Sequence, residues 1–162
     1  MILQTQRLHL RHFTPDDLDL IVEINNHPEC IRFNRWDSMS VEDCQACLNR
    51  WIAQYDNIIP GCGVFCVENK EHEKIGMAFV LPYGDDSYEI GFRLRRCHWE
   101  KGYATEISRG LMAYAKEQLH IGAIIAVVHR DNSRSRRVFE KLNFSCAPHP
   151  EGADGLIYRY QL

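Results

Sequence analysis

Polar and apolar residues alternate over residues 7–13, RLHLRHF, with the period of two that marks a strand buried on one face. Thr14, Pro15 and Asp16 then supply a helix N-cap, a first helical residue that needs no donor and an acid in the first turn, which predicts a helix to about Asn26. After Pro28 a loop carrying Arg32, Phe33 and Trp36 leads to a second predicted helix, from Ser40 to about Tyr55. In that segment Leu48, Trp51, Ile52 and Tyr55 recur at helical spacing. GVFCVEN and KIGMAFVLPY flank the polar Glu71-His72-Glu73 and read as an antiparallel hairpin. SYEIGFRL, residues 87–94, is a further strand, with Tyr88, Ile90, Phe92 and Leu94 on one face and Glu89, Gly91 and Arg93 on the other.

The pattern then changes. Ile107, Leu111, Tyr114, Ala115 and Leu119 form an apolar helical stripe between Gly102 and His120, and AIIAVVH, residues 123–129, is a continuous β-branched run suited to a strand buried on both faces. This is a strand-helix-strand crossover. Asn132 caps the next helix, Val138, Phe139 and Leu142 form its inner face, and Asn143 suits its left-handed end. A short strand near Phe144 and a last strand GLIYRYQL complete the order β-α-α-β-β-β-α-β-α-β-β, an α+β arrangement.

Composition narrows the class. With 162 residues and 45% hydrophobic content, the chain fits a single domain over residues 1–162. Its longest apolar run, residues 122–128, falls far short of the roughly 20 residues of a membrane span, and the opening MILQTQRLHLRH lacks a signal-peptide core. A cytoplasmic protein is expected, without membrane or nucleic-acid partners, because no basic run carries interleaved aromatics. Seven cysteines fit reduced thiols better than a disulfide framework. Cys44, Cys47, Cys62 and Cys66 could hold zinc in principle, but the first pair lies in a helical pattern and the second has an irregular gap, so no metal is expected.

The net charge of −3 is unevenly spread: residues 93–141 carry 11 Lys and Arg against 5 Asp and Glu. A basic field there suits a polyphosphate, while the acidic remainder mildly favours a cationic partner. Within that region RCHWEKGYATE precedes a helix that has a glycine and no capping side chain at its start. Helix starts expose unpaired N–H groups and partial positive charge, and Gly102 would let a ligand approach them, with Arg95, Arg96 and Lys101 adding charge. An ordinary solvated helix start is the competing reading. Neither a G-x-G-x-x-G nor a P-loop is present.

WEKGYATE resembles the WGKGYATE of the GNAT superfamily of acyl-CoA N-acyltransferases, in particular its RimJ/RimL-like branch, which acetylates ribosomal-protein N-termini. TQRLHLRHFTPDD, YEIGFRL and NSRSRRVFEKLNF resemble further anchors of that branch, in its order and spacing. The resemblance implies a GNAT fold: a mixed, mostly antiparallel sheet of six to seven strands with one splayed parallel pair, flanked by four helices. It also implies acetyl-CoA as co-substrate, held by Phe92, Leu94, the loop Trp99, Glu100, Lys101, Gly102, Tyr103, Ala104 and Thr105, and Asn132. Gly91 is where a bulge could permit the splay. Three departures stand out: Glu100 replaces a glycine, Arg96 a proline, and Phe139 a tyrosine that protonates the leaving thiolate in many members.

Transfer to an amine needs a base, a polarised thioester carbonyl and a proton for the thiolate. Glu89 is the candidate base, with a cross-strand ion pair as its structural alternative. Ser135 is the candidate acid, though it also occupies the N3 position of its helix; Tyr158 and Tyr160 are in reserve, and a backbone N–H near Leu94 would polarise the carbonyl. Cys97 and His98, adjacent on an extended segment, would point to opposite sides and make a poor nucleophile pair. The resemblance places the acceptor wall on the first two helices and their loop, where Arg32, Phe33, Trp36 and Trp51 shape specificity. The expected partners are a coenzyme A thioester and an amine acceptor (protein N-terminus, polyamine or small amine), on a monomer or homodimer. The alternative is a catalytically weak acyl-CoA-binding regulatory module, motivated by Glu100 and Phe139.

Overall fold

The computed structural model describes residues 1–34, 36–55, 60–84, 87–150, 152 and 154–162. Strands β1 (Leu3–Gln4) and β2 (Leu8–His12) precede helices α1 (Leu18–Asn26), α2 (Pro28–Ile31) and α3 (Val41–Gln54). Strands β3 (Gly63–Asn69), β4 (Lys74–Tyr83) and β5 (Ser87–Leu94) follow, then α4 (Tyr103–Glu117), β6 (Ala123–His129), α5 (Ser133–Lys141), β7 (Ser145–Pro148) and β8 (Gly155–Gln161). All strands join one sheet in the order β1-β2-β3-β4-β5-β6-β8-β7, in which only β5 and β6 run parallel.

The α+β fold and the splayed pair agree with expectation, while the counts need correction to eight strands and five helices. The added strand, β1, has two residues, too few for an alternation to register, and is held by pairing Leu3 with Leu10. The added helix, α2, is one turn opened by Pro28 and capped by His27, whose Nδ1 accepts from the Glu29 amide at 3.3 Å. Asn132 caps α5 as predicted, Ser40 caps α3, the helix predicted to begin there, and Asn143 takes the left-handed conformation at φ 61°.

Strand alternation divides the interior in two. Phe65, Val67, Ala78, Val80, Ile90 and Leu94 meet α4 and α5 on one face, and Val64, Cys66, Met77 and Phe79 meet α1 and α3 on the other. The cysteines follow this division: Cys62 joins the first cluster, Cys44 and Cys66 the second, so the four thiols do not gather. Among the described residues, the one grouping of potential metal ligands is His9, Glu68 and His72, where Glu68 is bonded to His9 and Arg11. Among those residues no helix is long and apolar enough to cross a membrane.

Candidate active site

β5 and β6 pair at only two positions, Tyr88 with Ile124 and Glu89 with Ile125, and then part. Each is committed elsewhere: β5 follows β4 over eight residues and β6 follows β8 over seven. Strands tied to different twisted neighbours diverge from one another. The ladder phases show what the gap contains. The Arg95 amide donates to Ile75 at 2.9 Å, so β5 spends its odd-numbered backbone groups on β4 and aims those of Ile90, Phe92 and Leu94 toward β6. The Arg130 amide donates to Asp154 at 2.8 Å, so Val127 and His129 correspondingly face β5.

Gly91 is not a bulge, contrary to expectation. Its register with Phe79 is unbroken, and a Cβ there would lie 2.3 Å from the Phe79 ring, so the glycine makes room for that ring. The register shift in β3 and β4 falls instead between Val67 and Glu68, two strands away from the gap.

Glu89 is half-buried on the α1 and α3 side of β5. Burial pushes its carboxyl above the usual glutamate range, against a hydrogen bond from the Val127 amide that pulls it down. None of the ion pairs among the described residues involves Glu89, so the cross-strand alternative is not seen there. The carboxylate instead takes the Val127 amide, the first on β6 beyond the ladder that faces β5.

A loop joins β5 to α4. The Trp99 indole donates to the Leu94 carbonyl at 2.9 Å and has the guanidinium carbons of Arg96 and Arg134 4.9 and 5.0 Å from its ring centre. Glu100 adopts φ 64° and Gly102 φ 80°, both left-handed, which explains why a glycine suits the first position as well as the second. The Glu100 side chain is exposed and lies 3.6 Å from the Arg134 guanidinium, so its carboxylate is turned outward. Gly102 begins α4 without a side-chain cap, and the first intrahelical bond, from the Glu106 amide to the Gly102 carbonyl, leaves Tyr103, Ala104 and Thr105 amides without helical acceptors.

Arg7 anchors this loop from β2's approach. It donates to the Lys101 carbonyl at 3.0 Å, stacks 4.6 Å from the Tyr103 ring centre and pairs with Glu106 at 2.7 Å. Burial alone would raise the Glu106 carboxyl, but bonds from Thr5 and Arg7 outweigh it and hold it below its usual range. The last glutamate of WEKGYATE thus braces the loop. Lys101 is exposed beside it.

Arg95, expected at this loop, turns to α1 and pairs with Glu23 at 2.7 Å. Arg96 pairs with Glu29 at 2.5 Å, and Arg134 joins the cluster 4.0 Å from the same glutamate. The Asn132 side chain accepts from the Ser135 amide at 3.2 Å, and Ser135 is half-buried one turn into α5. Phe139 packs in a ring cluster with Phe92, Phe144 and Tyr158. Tyr158 is fully buried beside Glu140, and its hydroxyl is pushed up to about 12, chiefly by burial. Tyr160 packs on Phe144, so both tyrosines serve the core. Cys97 is exposed and His98 buried, but they lie on a 3-10 turn over Arg96–His98 rather than on the extended segment expected.

Phe33 lies 5.2 Å from the His129 ring, Arg32 stacks on Phe33, and the exposed Trp36 covers the Arg93 guanidinium. Trp51 is not in this wall; it packs against Phe13 in the core, as its place in a helical stripe requires. Sequence reasoning missed Arg7, Arg134 and Arg93 as parts of the site. Only Arg93 had a signal, since the alternation of β5 puts it on the face of Glu89.

A family model described as an acetyltransferase (GNAT) domain matches residues 7–145. An uncharacterized N-acetyltransferase, YoaA of Bacillus subtilis, is 29% identical over 148 residues, covering 88% of this chain and 82% of that protein. The crystal structure of a GNAT-family acetyltransferase from Bacillus anthracis superposes with a TM-score of 0.82 at 23% identity, over 99% of this chain and 96% of the other. RimL, a ribosomal L7/L12 alpha-N-protein acetyltransferase solved with coenzyme A, gives 0.79 at 16% identity, over 98% and 96% of the two chains.

Proposed function

The chain belongs to the GNAT family of acetyltransferases, and on that premise we propose that it transfers an acetyl group from acetyl-CoA directly to a primary amine. One juxtaposition carries the reading: a strand gap lined by spare amide groups leads, through a loop anchored on Leu94, into an uncapped helix start. Bound acetyl-CoA supplies the activated acetyl group. Backbone groups of Phe92 and Leu94 would hold the pantetheine arm, and a Leu94 N–H would polarise the thioester carbonyl. The amides of Tyr103, Ala104 and Thr105 would hold the pyrophosphate, with Lys101, Arg96 and Arg134 around them and Trp99 and Glu100 shaping the loop. Asn132 supports the arm from the start of α5. Membership of the RimJ/RimL-like branch rests on the motifs, because RimL supports the fold alone at its low identity.

Glu89 takes a proton from the acceptor ammonium, directly or through a water, and so frees the amine lone pair for attack on the thioester. Its burial supports this role, since a carboxylate with a raised pKa is the stronger base. Ser135 returns a proton to the departing thiolate. Phe139 has none to give, and the Tyr158 hydroxyl is held beside Glu140.

A thiol-release assay over a panel of amines tests the function. Steady, amine-dependent release of coenzyme A is expected; tight acetyl-CoA binding without turnover on any amine would favour the weak binding module instead. Ser135→Ala should lower kcat about tenfold while leaving acetyl-CoA affinity within about twofold, and an unchanged kcat across the pH range removes Ser135 from the reaction. For Gly102→Val the problem is conformational, because a Cβ would meet only Arg7 at an ordinary 3.4 Å, whereas φ 80° strains a β-branched residue by about 1–2 kcal/mol. Its acetyl-CoA KM should rise about tenfold, and an unaltered KM would place the pyrophosphate elsewhere.

A further inference from the structure

We propose that Arg93 binds an anionic group, a carboxylate or phosphate, carried by the acceptor amine; this rests on the acetyltransferase reading and narrows its substrate class. Arg93 shares a strand face with Glu89, four residues or about 13 Å along β5. Its guanidinium donates to two neutral oxygens, Asn25 Oδ1 and Asn34 Oδ1, each at 3.0 Å, and lies 4.9 Å from the Trp36 ring centre. No carboxylate lies within 4.0 Å of it among the described residues. By contrast, Arg7, Arg11, Arg95, Arg96 and Arg134 each have one.

A cation removed from water without a counter-ion is costly, and burial duly pulls the Arg93 pKa down. Amide oxygens only partly replace the missing charge. A second donor is also left over. Because Asn34 turns its oxygen to Arg93, its Nδ2 faces away, buried and with no hydrogen-bond partner among the described residues. Arg93 itself retains partial exposure, so an oxygen can reach it. A planar guanidinium beside a spare amide donor is suited to the paired oxygens of a carboxylate or phosphate.

Its position ties these donors to the acceptor. Asn34 sits between Phe33 and Trp36, and Phe33 extends the same wall to His129 on β6, the other side of the strand gap. An amine near Glu89 could therefore reach Arg93 with an acidic group several bonds away. The acidic remainder of the surface argued for a cationic acceptor, but a half-buried cation within the wall, with no carboxylate beside it among the described residues, repels one locally.

The test compares acceptors in matched pairs, 4-aminobutyrate with butylamine and phosphoethanolamine with ethanolamine, together with spermidine. Wild-type protein should prefer the acidic member of at least one pair by roughly 10- to 100-fold in kcat/KM, and which pair responds separates carboxylate from phosphate. Arg93→Gln should collapse that ratio toward one through the KM of the acidic acceptor, with Arg93→Lys keeping part of it. Should Arg93→Gln fail to fold, Asn34→Asp serves, because its carboxylate would neutralise Arg93 from within and abolish the preference. A wild-type preference for spermidine or the neutral amines, or an acidic preference that survives both Arg93→Gln and Asn34→Asp, overturns the proposal. If no amine is acetylated, the transferase reading fails by itself. Calorimetry with 4-aminobutyrate and phosphoethanolamine then still decides the role of Arg93: binding lost in Arg93→Gln supports it, and no binding to wild type refutes it.

Discussion

Replacing Glu89 by Gln is expected to lower kcat/KM by about 10²–10³, equivalent to about 2.7–4 kcal/mol of transition-state stabilisation. Glutamine has nearly the same shape and still offers an oxygen to the Val127 amide, so the parting of β5 and β6 should persist. What it cannot do is accept the ammonium proton. The pH profile separates this role from a structural one. A base works when deprotonated, and burial raises the Glu89 pKa, so the wild-type rate should climb through a midpoint above the ordinary glutamate range. In Glu89→Gln that acidic limb should vanish, leaving only the limb set by the amine. If Glu89 merely held the Val127 amide, the glutamine variant would turn over normally, and such a result in steady-state assays would remove it from the chemistry.

Arg11→Leu should destabilise the fold by about 3–5 kcal/mol, because it takes the guanidinium away from two buried carboxylates. Asp17 then keeps the Thr14 amide and a more distant Lys74, and Glu68 its histidine neighbours. Arg11 donates to both Asp17 oxygens at 2.7 and 2.9 Å and to Glu68 at 2.7 Å, joining β2, β3 and the turn that enters α1. Asp17 is only 1% and Glu68 7% exposed. For a chain of this size the loss corresponds to a fall in Tm of roughly 6–20 °C. Burial by itself would raise the Asp17 pKa, but bonds from Arg11 and the Thr14 amide hold it below the usual range. In the wild type that contribution is complete above the unfolded-state pKa and disappears as pH falls through the lower folded-state value. Without Arg11, burial dominates and the sign reverses, so the variant should gain stability on mild acidification as Asp17 takes up a proton. Urea unfolding at pH 7 and pH 4.5 should show the gap between the two proteins narrowing; a constant gap would mean that Asp17 and Glu68 are not penalised by losing their partner.

Most of the elements were readable because they arise from short-range geometry. Side chains alternate every two residues along β5 and recur every three to four along α4, and Ser40, Asn132 and Asn143 have short polar groups suited to helix ends. The same regularity put Glu89 and Arg93 on one face and left the start of α4 without a capping side chain. Local pattern was silent about β1 and α2, which are too short to repeat.

Other features depended on neighbours distant in the chain. Arg7 reaches Glu106 across 99 residues, and Arg93 meets Asn25 and Asn34 across 68 and 59. Arg95 and Arg96 are adjacent in sequence, yet the turn between them sends one to α1 and the other to Glu29 beside the loop. Gly91 looked like a place for a bulge until Phe79 filled the space above it. The amino-acid order by itself thus determined the strands, helices and exposed helix start, because those follow from bond geometry and nearby polarity. Only the tertiary structure decided which charges find an opposite partner among the described residues and which, like Arg93, do not, because that depends on whether packing brings an opposite charge within a few ångströms.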